Sequence, residues 1–324
     1  MTKINILNAE SKDYSQDAYS LLLSLGTVNQ SDLTRKSLIK LVPGFDVLIV
    51  RLRNYIDKEI IDQAVNLKAI VTATTGLNHI DVEYANQKNI KVISLKGEYE
   101  FLKTVSATSE HTIGLILSLL RYIPDASNSV KKNIWDRNLF KGNEISGKMF
   151  GILGYGRIGT KVAKYAKAFG AKVIVYDIKK IASKQKDIVI AETIDELLQN
   201  SDILSIHIPF NKSTANLIDK SKIDKMKKTS IIINTSRGEI NNEVDLLSAL
   251  ELSQISGAAL DVLANEHISP IKQSHPLIEY AKTHKNLIIT PHIGGATYES
   301  MHKTEVFMAK KLSEWIKSMN AGLN

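Results

Sequence analysis

The chain has 324 residues, 44% hydrophobic and 23% charged, enough for two domains with cores of their own. It contains no cysteine, which excludes disulfides, thiolate metal sites and cysteine nucleophiles. The formal net charge of +8 is spread among polar residues, as at Lys131-Lys132 and Lys225, Lys227 and Lys228, without interleaved aromatics. This argues against a nucleic-acid partner and suits small anionic ligands. The N-terminal stretch MTKINILNAESKD has no apolar signal segment, and the apolar run 113–120 is too short to span a bilayer. The expectation is a cytoplasmic protein without a membrane partner.

From the N-terminus, short apolar runs alternate with helical patterns: strands are expected at residues 4–7, 46–50, 69–73 and 92–94, and helices at 19–25, 58–65 and 82–87. That alternation predicts a parallel sheet covered on both faces. Residues 105–123 form the longest helix candidate, stopped by Pro124. The domain boundary is placed near residue 104, with one domain at 1–103, completed by 296–324, and the other at 104–295.

The second domain is organised around residues 150–177, FGILGYGRIGTKVAKYAKAFGAKVIVYD. An apolar run leads into Gly154, Gly156 and Gly159, then a helical pattern, then a β-branched run ending at Asp177. In such a strand, glycine turn, helix and strand, Gly154 makes the tight turn, Gly156 lets a pyrophosphate approach and Gly159 lets the helix pack on the strand. The helix N-terminus faces the phosphates, and Asp177 accepts from the ribose hydroxyls, which favours NAD over NADP. Downstream, Thr193-Ile194-Asp195-Glu196 reads as a capping box. Strands are expected at 203–208, 230–233, 258–262 and 287–290 and a helix at 242–252. An amphipathic helix at 304–319, carrying Phe307, Leu312, Trp315 and Ile316, could return to the first domain.

Ligands of open α/β sheets bind at the carboxyl ends of the strands. Three such ends carry residues suited to hydride transfer: Asn234-Thr235-Ser236-Arg237-Gly238, Asp261 with Glu266 beyond it, and Pro291-His292-Ile293-Gly294-Gly295. Reducing a ketone needs a proton donor near neutral pH, a fixed cation for a carboxylate and an acid to hold the donor's tautomer. His292, Arg237 and Glu266 fit those roles. His79, His267, His275, His284 and His302 read as surface or satisfied core residues.

The ordered motifs GYGRIG (154–159), NTSRGEI (234–240), GAALDVLANE (257–266) and TPHIGGAT (290–297) resemble the NAD-dependent D-isomer-specific 2-hydroxyacid dehydrogenases over nearly the whole chain. The resemblance implies a Rossmann-type NAD domain inserted in a flavodoxin-like α/β substrate domain, NAD as cofactor, a small 2-hydroxy or 2-keto acid as substrate, and a homodimer formed through the long helix and the segment after it. It implies Arg237 on the substrate carboxylate and carbonyl, His292 as proton donor with Glu266 as its partner, and Asp261 on the nicotinamide carboxamide. Arg157 and Ile158 would lie on the pyrophosphate, with His207, Pro209, Thr214, Thr235 and Gly294 as further cofactor contacts. Thr75-Gly76 would offer amides to the substrate carboxylate. Within the family, Val50-Arg51 and the segment 135–140 are most similar to the 3-phosphoglycerate members, without their C-terminal regulatory domain. Arg51 is then expected to bind a phosphate or second carboxylate, with D-3-phosphoglycerate as substrate. The alternatives are a glyoxylate, hydroxypyruvate or lactate type of acid, or an NAD(H)-sensing binding protein.

Overall fold

The computed structural model describes residues 4–181, 187–266 and 275–321, so His267 lies outside the described residues. Two units form: Met1–Val105 with Thr297–Asn324, and Ser106–Ala296.

In the first unit, β1 (Ile4–Asn8), β2 (Gly26–Gln30), β3 (Val47–Val50), β4 (Ala69–Thr72) and β5 (Lys91–Ile93) make a parallel sheet in the order β2-β1-β3-β4-β5. That is the flavodoxin-like order. Side chains alternate across it. Leu7, Leu48, Val50 and Ile70 meet Leu38, Ile60 and Ala85 of the helices Arg35–Leu41, Lys58–Gln63 and Val82–Gln87. Ile6, Val47, Ile49 and Val71 meet the helices Gln16–Leu23 and Tyr298–Ala321, through Ala18, Leu22, Met308 and Leu312. Ser15, Thr34, Asp57 and Asp81 start their helices by accepting a first-turn amide, the cap those residue types favour.

In the second unit, β6 (Met149–Leu153), β7 (Lys172–Tyr176), β8 (Ile188–Ile190), β9 (Ile203–Ile206), β10 (Ile231–Asn234), β11 (Gly257–Leu260) and β12 (Leu287–Ile289) are parallel in the order β12-β11-β10-β9-β6-β7-β8. The order reverses between β6 and β9, the switch point at which doubly wound sheets bind dinucleotides. Ile231 and Ile233 pack with Ile116 and Val162 of the helices Ala107–Leu120 and Arg157–Ala168; Ile232 packs with Leu246 and Leu250 of the helix Glu243–Glu251. Burial on both faces is why these strands read as unbroken apolar runs.

The expected helix at 105–123 is corrected. It runs from Ala107 to Leu120 and ends at Tyr122, whose φ of 52° is left-handed. Pro124 then sits in the first turn of a second helix, Ile123–Lys131, where its missing amide hydrogen costs nothing. The 24-residue helix Tyr298–Ala321 is longer than either. Among the described residues no helix is long and apolar enough to cross a membrane.

Candidate active site

The glycine turn sits at the switch point of the second sheet. Gly154 has φ +94°, and a Cβ there would lie 2.7 Å from the carbonyl oxygen of His207, so this turn and the one after β9 touch backbone to backbone. A Cβ on Gly159 would lie 2.1 Å from the oxygen of Gly154, which is the close helix-to-strand packing. Gly156 differs: among the described residues a Cβ there meets nothing within 4 Å. Protein packing does not require glycine at that position, and the backbone there is open to a close approach. Arg157 and Ile158 open the helix beside it. Burial pushes the half-buried Arg157 guanidinium down. Asp177 accepts the amides of Tyr155 (2.8 Å) and Lys179 (2.9 Å), which sets its carboxylate against the turn.

Beyond β9, the His207 Nε2 is 2.8 Å from Ser205 Oγ, while Nδ1 is sealed from solvent without a partner among the described residues. Burial pushes this imidazole down to about 3. Thr214 Oγ1 donates to the Pro209 carbonyl (2.8 Å) and closes that loop on itself. Thr235 is buried, its hydroxyl 3.0 Å from that of Thr112.

The three chemistry-bearing loops emerge from β10, β11 and β12, which are neighbours in the sheet. Asn234 organises the first: its Oδ1 accepts the amide (2.9 Å) and hydroxyl (2.8 Å) of Ser236, and its Nδ2 donates to the Arg237 carbonyl (2.8 Å). Arg237 Nη1 donates to the Ser236 carbonyl (2.6 Å). Burial pushes the guanidinium down, and the charges of Glu266 and Glu239 oppose that. A Cβ on Gly238 would lie 2.1 Å from the Leu263 carbonyl carbon, so the Arg237 loop and the segment before Glu266 are in direct backbone contact. Glu239 and Glu243 accept the amides of Asn265 (3.2 Å) and Ala264 (2.8 Å), tying that segment down. Glu266 accepts the Leu263 amide through Oε2 (3.2 Å) and pairs through Oε1 with His292 Nδ1. Nε2 is the ring nitrogen not used in that pair. The His292 backbone is left-handed, φ 53°, a conformation that few side chains hold without support.

That support comes from Asp261. Its Oδ1 accepts the Ile293 amide (2.9 Å) and the Thr290 hydroxyl (2.6 Å), its Oδ2 accepts the Gly294 amide (2.7 Å), and the Asp261 carbonyl accepts the His292 amide (2.8 Å). His111 Nε2 lies 3.1 Å from both Asp261 Oδ1 and Thr290 Oγ1. Burial alone would raise the Asp261 carboxyl, but the hydrogen bonds from His111, Thr290, Ile293 and Gly294 outweigh it and hold it below the usual range. Asp261 therefore spends its oxygens on the loop that carries His292.

In the first unit, Arg51 and Thr75-Gly76 follow adjacent strands, β3 and β4. Thr75 is exposed, and Thr74 Oγ1 donates to the Gly76 carbonyl (2.8 Å). The Arg51 guanidinium is paired with Glu305, donates to the Lys12 carbonyl (2.8 Å) and lies 5.6 Å from the Tyr14 ring centre. Of the remaining described histidines, His79 is buried against Thr72 (3.2 Å), His275 faces Glu243 (3.3 Å) and His284 stacks on Tyr280. His302 is exposed, with Nδ1 3.0 Å from Ser15 Oγ.

The sequence profile described as "D-isomer specific 2-hydroxyacid dehydrogenase, NAD binding domain" matches residues 113–294. The chain belongs to this family. Its NAD-binding half coincides with the second unit. D-3-phosphoglycerate dehydrogenase of Archaeoglobus fulgidus is 35% identical over 292 residues, 90% of this chain and 53% of the relative, so the chain spans about half of that protein's length. Glyoxylate reductase of Thermofilum pendens is 36% identical over 290 residues, 88% of this chain and 82% of the relative. Among solved structures, D-lactate dehydrogenase from Aquifex aeolicus, complexed with NAD and lactic acid, superposes with a TM-score of 0.81 at 27% identity, covering 97% of this chain and 96% of the other.

For this dehydrogenase-family chain, sequence reasoning missed the residues that act through others. His111, Thr290 and Asn234 hold the loops of His292 and Arg237, while Glu239 and Glu243 hold the segment before Glu266. His111 follows Glu110 in the polar first turns of its helix, so nothing local marked it; its contacts, like those of Glu239 and Glu243, join residues far apart in sequence, whereas Asn234 binds within three residues.

Proposed function

We propose that this chain is an NAD-dependent D-2-hydroxyacid dehydrogenase in which His292, Glu266 and Arg237 act on the substrate. One observation carries the reading: the left-handed His292 pairs through Nδ1 with Glu266, and the Arg237 loop is packed against the segment leading to Glu266. Bound NADH supplies the hydride. Arg237 orients the carboxylate and carbonyl of a 2-keto acid, a role that suits a forked cation. His292 Nε2 holds the proton that passes to the carbonyl oxygen, and Glu266 fixes the tautomer and stabilises the imidazolium. Gly156 and Arg157 fit the pyrophosphate, and Asp177 fits the ribose of NAD. The amides of Thr75-Gly76 are assigned to the substrate carboxylate.

The 3-phosphoglycerate reading requires Arg51 to be a phosphate ligand. The reading with an unphosphorylated acid is favoured by the commitment of Arg51 to Glu305. NADH oxidation against a panel of 2-keto acids tests the class; purified protein that turns over none of them, while binding NADH, would remove it. A homodimer is proposed on the exposed apolar side chains Ile123, Val130, Ile134, Trp135 (88% exposed) and Leu139; a monomeric mass by light scattering would count against it.

A further inference from the structure

One turn of the helix Ala107–Leu120 differs from the rest of it. Ile113, Ile116 and Leu119 pack into the apolar core of the second unit, whereas Thr108, His111 and Thr112, three and four residues apart, share a face that meets two loops. Thr112 is buried and donates its hydroxyl proton to the Thr108 carbonyl (2.7 Å). Its oxygen therefore accepts from the Thr235 hydroxyl, 3.0 Å away, and Thr235 stands two residues before Arg237. His111 turns to the other loop. The Thr290 hydroxyl gives its proton to Asp261 Oδ1 (2.6 Å), so the two oxygens 3.1 Å from His111 Nε2 can only accept from it, and Nε2 carries the hydrogen. A Cβ on Gly294 would lie 3.5 Å from Thr108 Cγ2 and 3.7 Å from His111 Cδ2, so the loop of His292 rests on the same turn. Hydrogen bonds of this kind add little net stability. What they fix is position.

Resting on the dehydrogenase reading above, we propose that His111 and Thr112 are positioning residues of the reaction. His111 holds Asp261, and through it the backbone of His292; Thr112 holds Thr235, and through it the loop of Arg237. Neighbours on one helical turn thus set the spacing between the proton donor and the cation that orients the keto acid. Both act through the loops, and neither is a catalytic residue.

The test is steady-state NADH oxidation by the full chain with pyruvate, glyoxylate, hydroxypyruvate and 3-phosphohydroxypyruvate, the variants being compared on the best of the four. His111→Phe keeps a ring but no donor. It should lower kcat about thirtyfold with KM for the keto acid within about threefold, because proton donation is felt in the transition state. His111→Gln, whose amide nitrogen still donates, should recover most of that loss. Thr112→Val should instead raise KM about tenfold, because Arg237 also holds the ground-state carboxylate, and Thr112→Ser should restore it. Bound-NADH fluorescence and thermal unfolding check that each variant is folded; if His111→Phe does not fold, the Thr112 pair carries the test. A merely structural turn predicts the same kinetic change from both sites and no rescue by the conservative variants. That outcome, or folded His111→Phe and Thr112→Val with the natural kcat and KM, overturns this inference and leaves the dehydrogenase reading in place. Silence of the natural protein toward all four keto acids removes that reading, and this inference with it.

Discussion

At the carboxyl ends of β10, β11 and β12, buried polar groups hold loop backbones: Asn234 holds the Arg237 loop, and Asp261 holds the loop of His292. At the end of β3 the arrangement is reversed, and Glu305, Lys12 and Tyr14 surround the Arg51 guanidinium itself. Both edges belong to parallel sheets with helix cover, so the fold alone does not decide how an edge's polar groups are engaged. Asp261 and Asn234 bind the backbone of a loop, whereas Glu305 binds the end of a side chain. The first prepares a group for a ligand, and the second satisfies it in advance.

Four measurements test this contrast. The largest effect is expected for His292→Asn, since asparagine tolerates a left-handed backbone but supplies no comparable proton donor. Turnover should fall by about a thousandfold, with NADH binding retained by fluorescence titration; activity within tenfold of the natural protein would remove His292 from the chemistry. Gly238→Ala comes next. Its Cβ has no room against Leu263, so the Arg237 and Glu266 loops must part, and turnover should drop about a hundredfold. Stability should fall by about 2 kcal/mol in chemical denaturation, and an unchanged variant would mean the two loops are not coupled.

A smaller effect is expected from pH. His207 is pushed down to about 3 by burial, whereas the unfolded chain protonates it near 6.5. The unfolded state therefore binds the extra proton, and stability present above pH 6.5 is lost as pH falls toward 3. Between pH 6.5 and 5 the loss from this half-buried ring should be about 1 kcal/mol, and His207→Gln should remove it; identical acid limbs would refute the assignment. The smallest effect belongs to the first sheet's exposed pair. Arg53→Ala breaks the bridge to Asp32, two side chains 49% and 38% exposed, and should change stability by less than about 0.5 kcal/mol. A larger loss would show that the edge depends on its surface pairs.

Sequence reasoning reached the second sheet's edge because its signals are local. Glycine spacing, a Pro-His after a strand and an Asn ending an isoleucine run are each read within a few residues. The edge strands β2 and β8 escaped it: β2, Gly26–Gln30, is mostly polar, and β8, Ile188–Ile190, is three residues long. Pro124 was ambiguous because proline serves equally after one helix and in the first turn of the next. The state of Arg51 could not be read at all, since Glu305 lies 254 positions away and becomes its partner only when the last helix packs on the first sheet. Asp261 was found as a residue, but its hydrogen bonds to the His292 loop depend on how β11 and β12 pair.

The left-handed backbone of His292 also sets the terms for directed evolution at this position. In a library containing all twenty amino acids, folding and activity would be filtered separately. Glycine, asparagine and aspartate would be enriched among soluble, well-expressed clones, valine, isoleucine and threonine would be depleted, and turnover would single out histidine from the survivors. A screen for expression alone would therefore drive this codon away from histidine, and a screen on product would select for it under the proposed function.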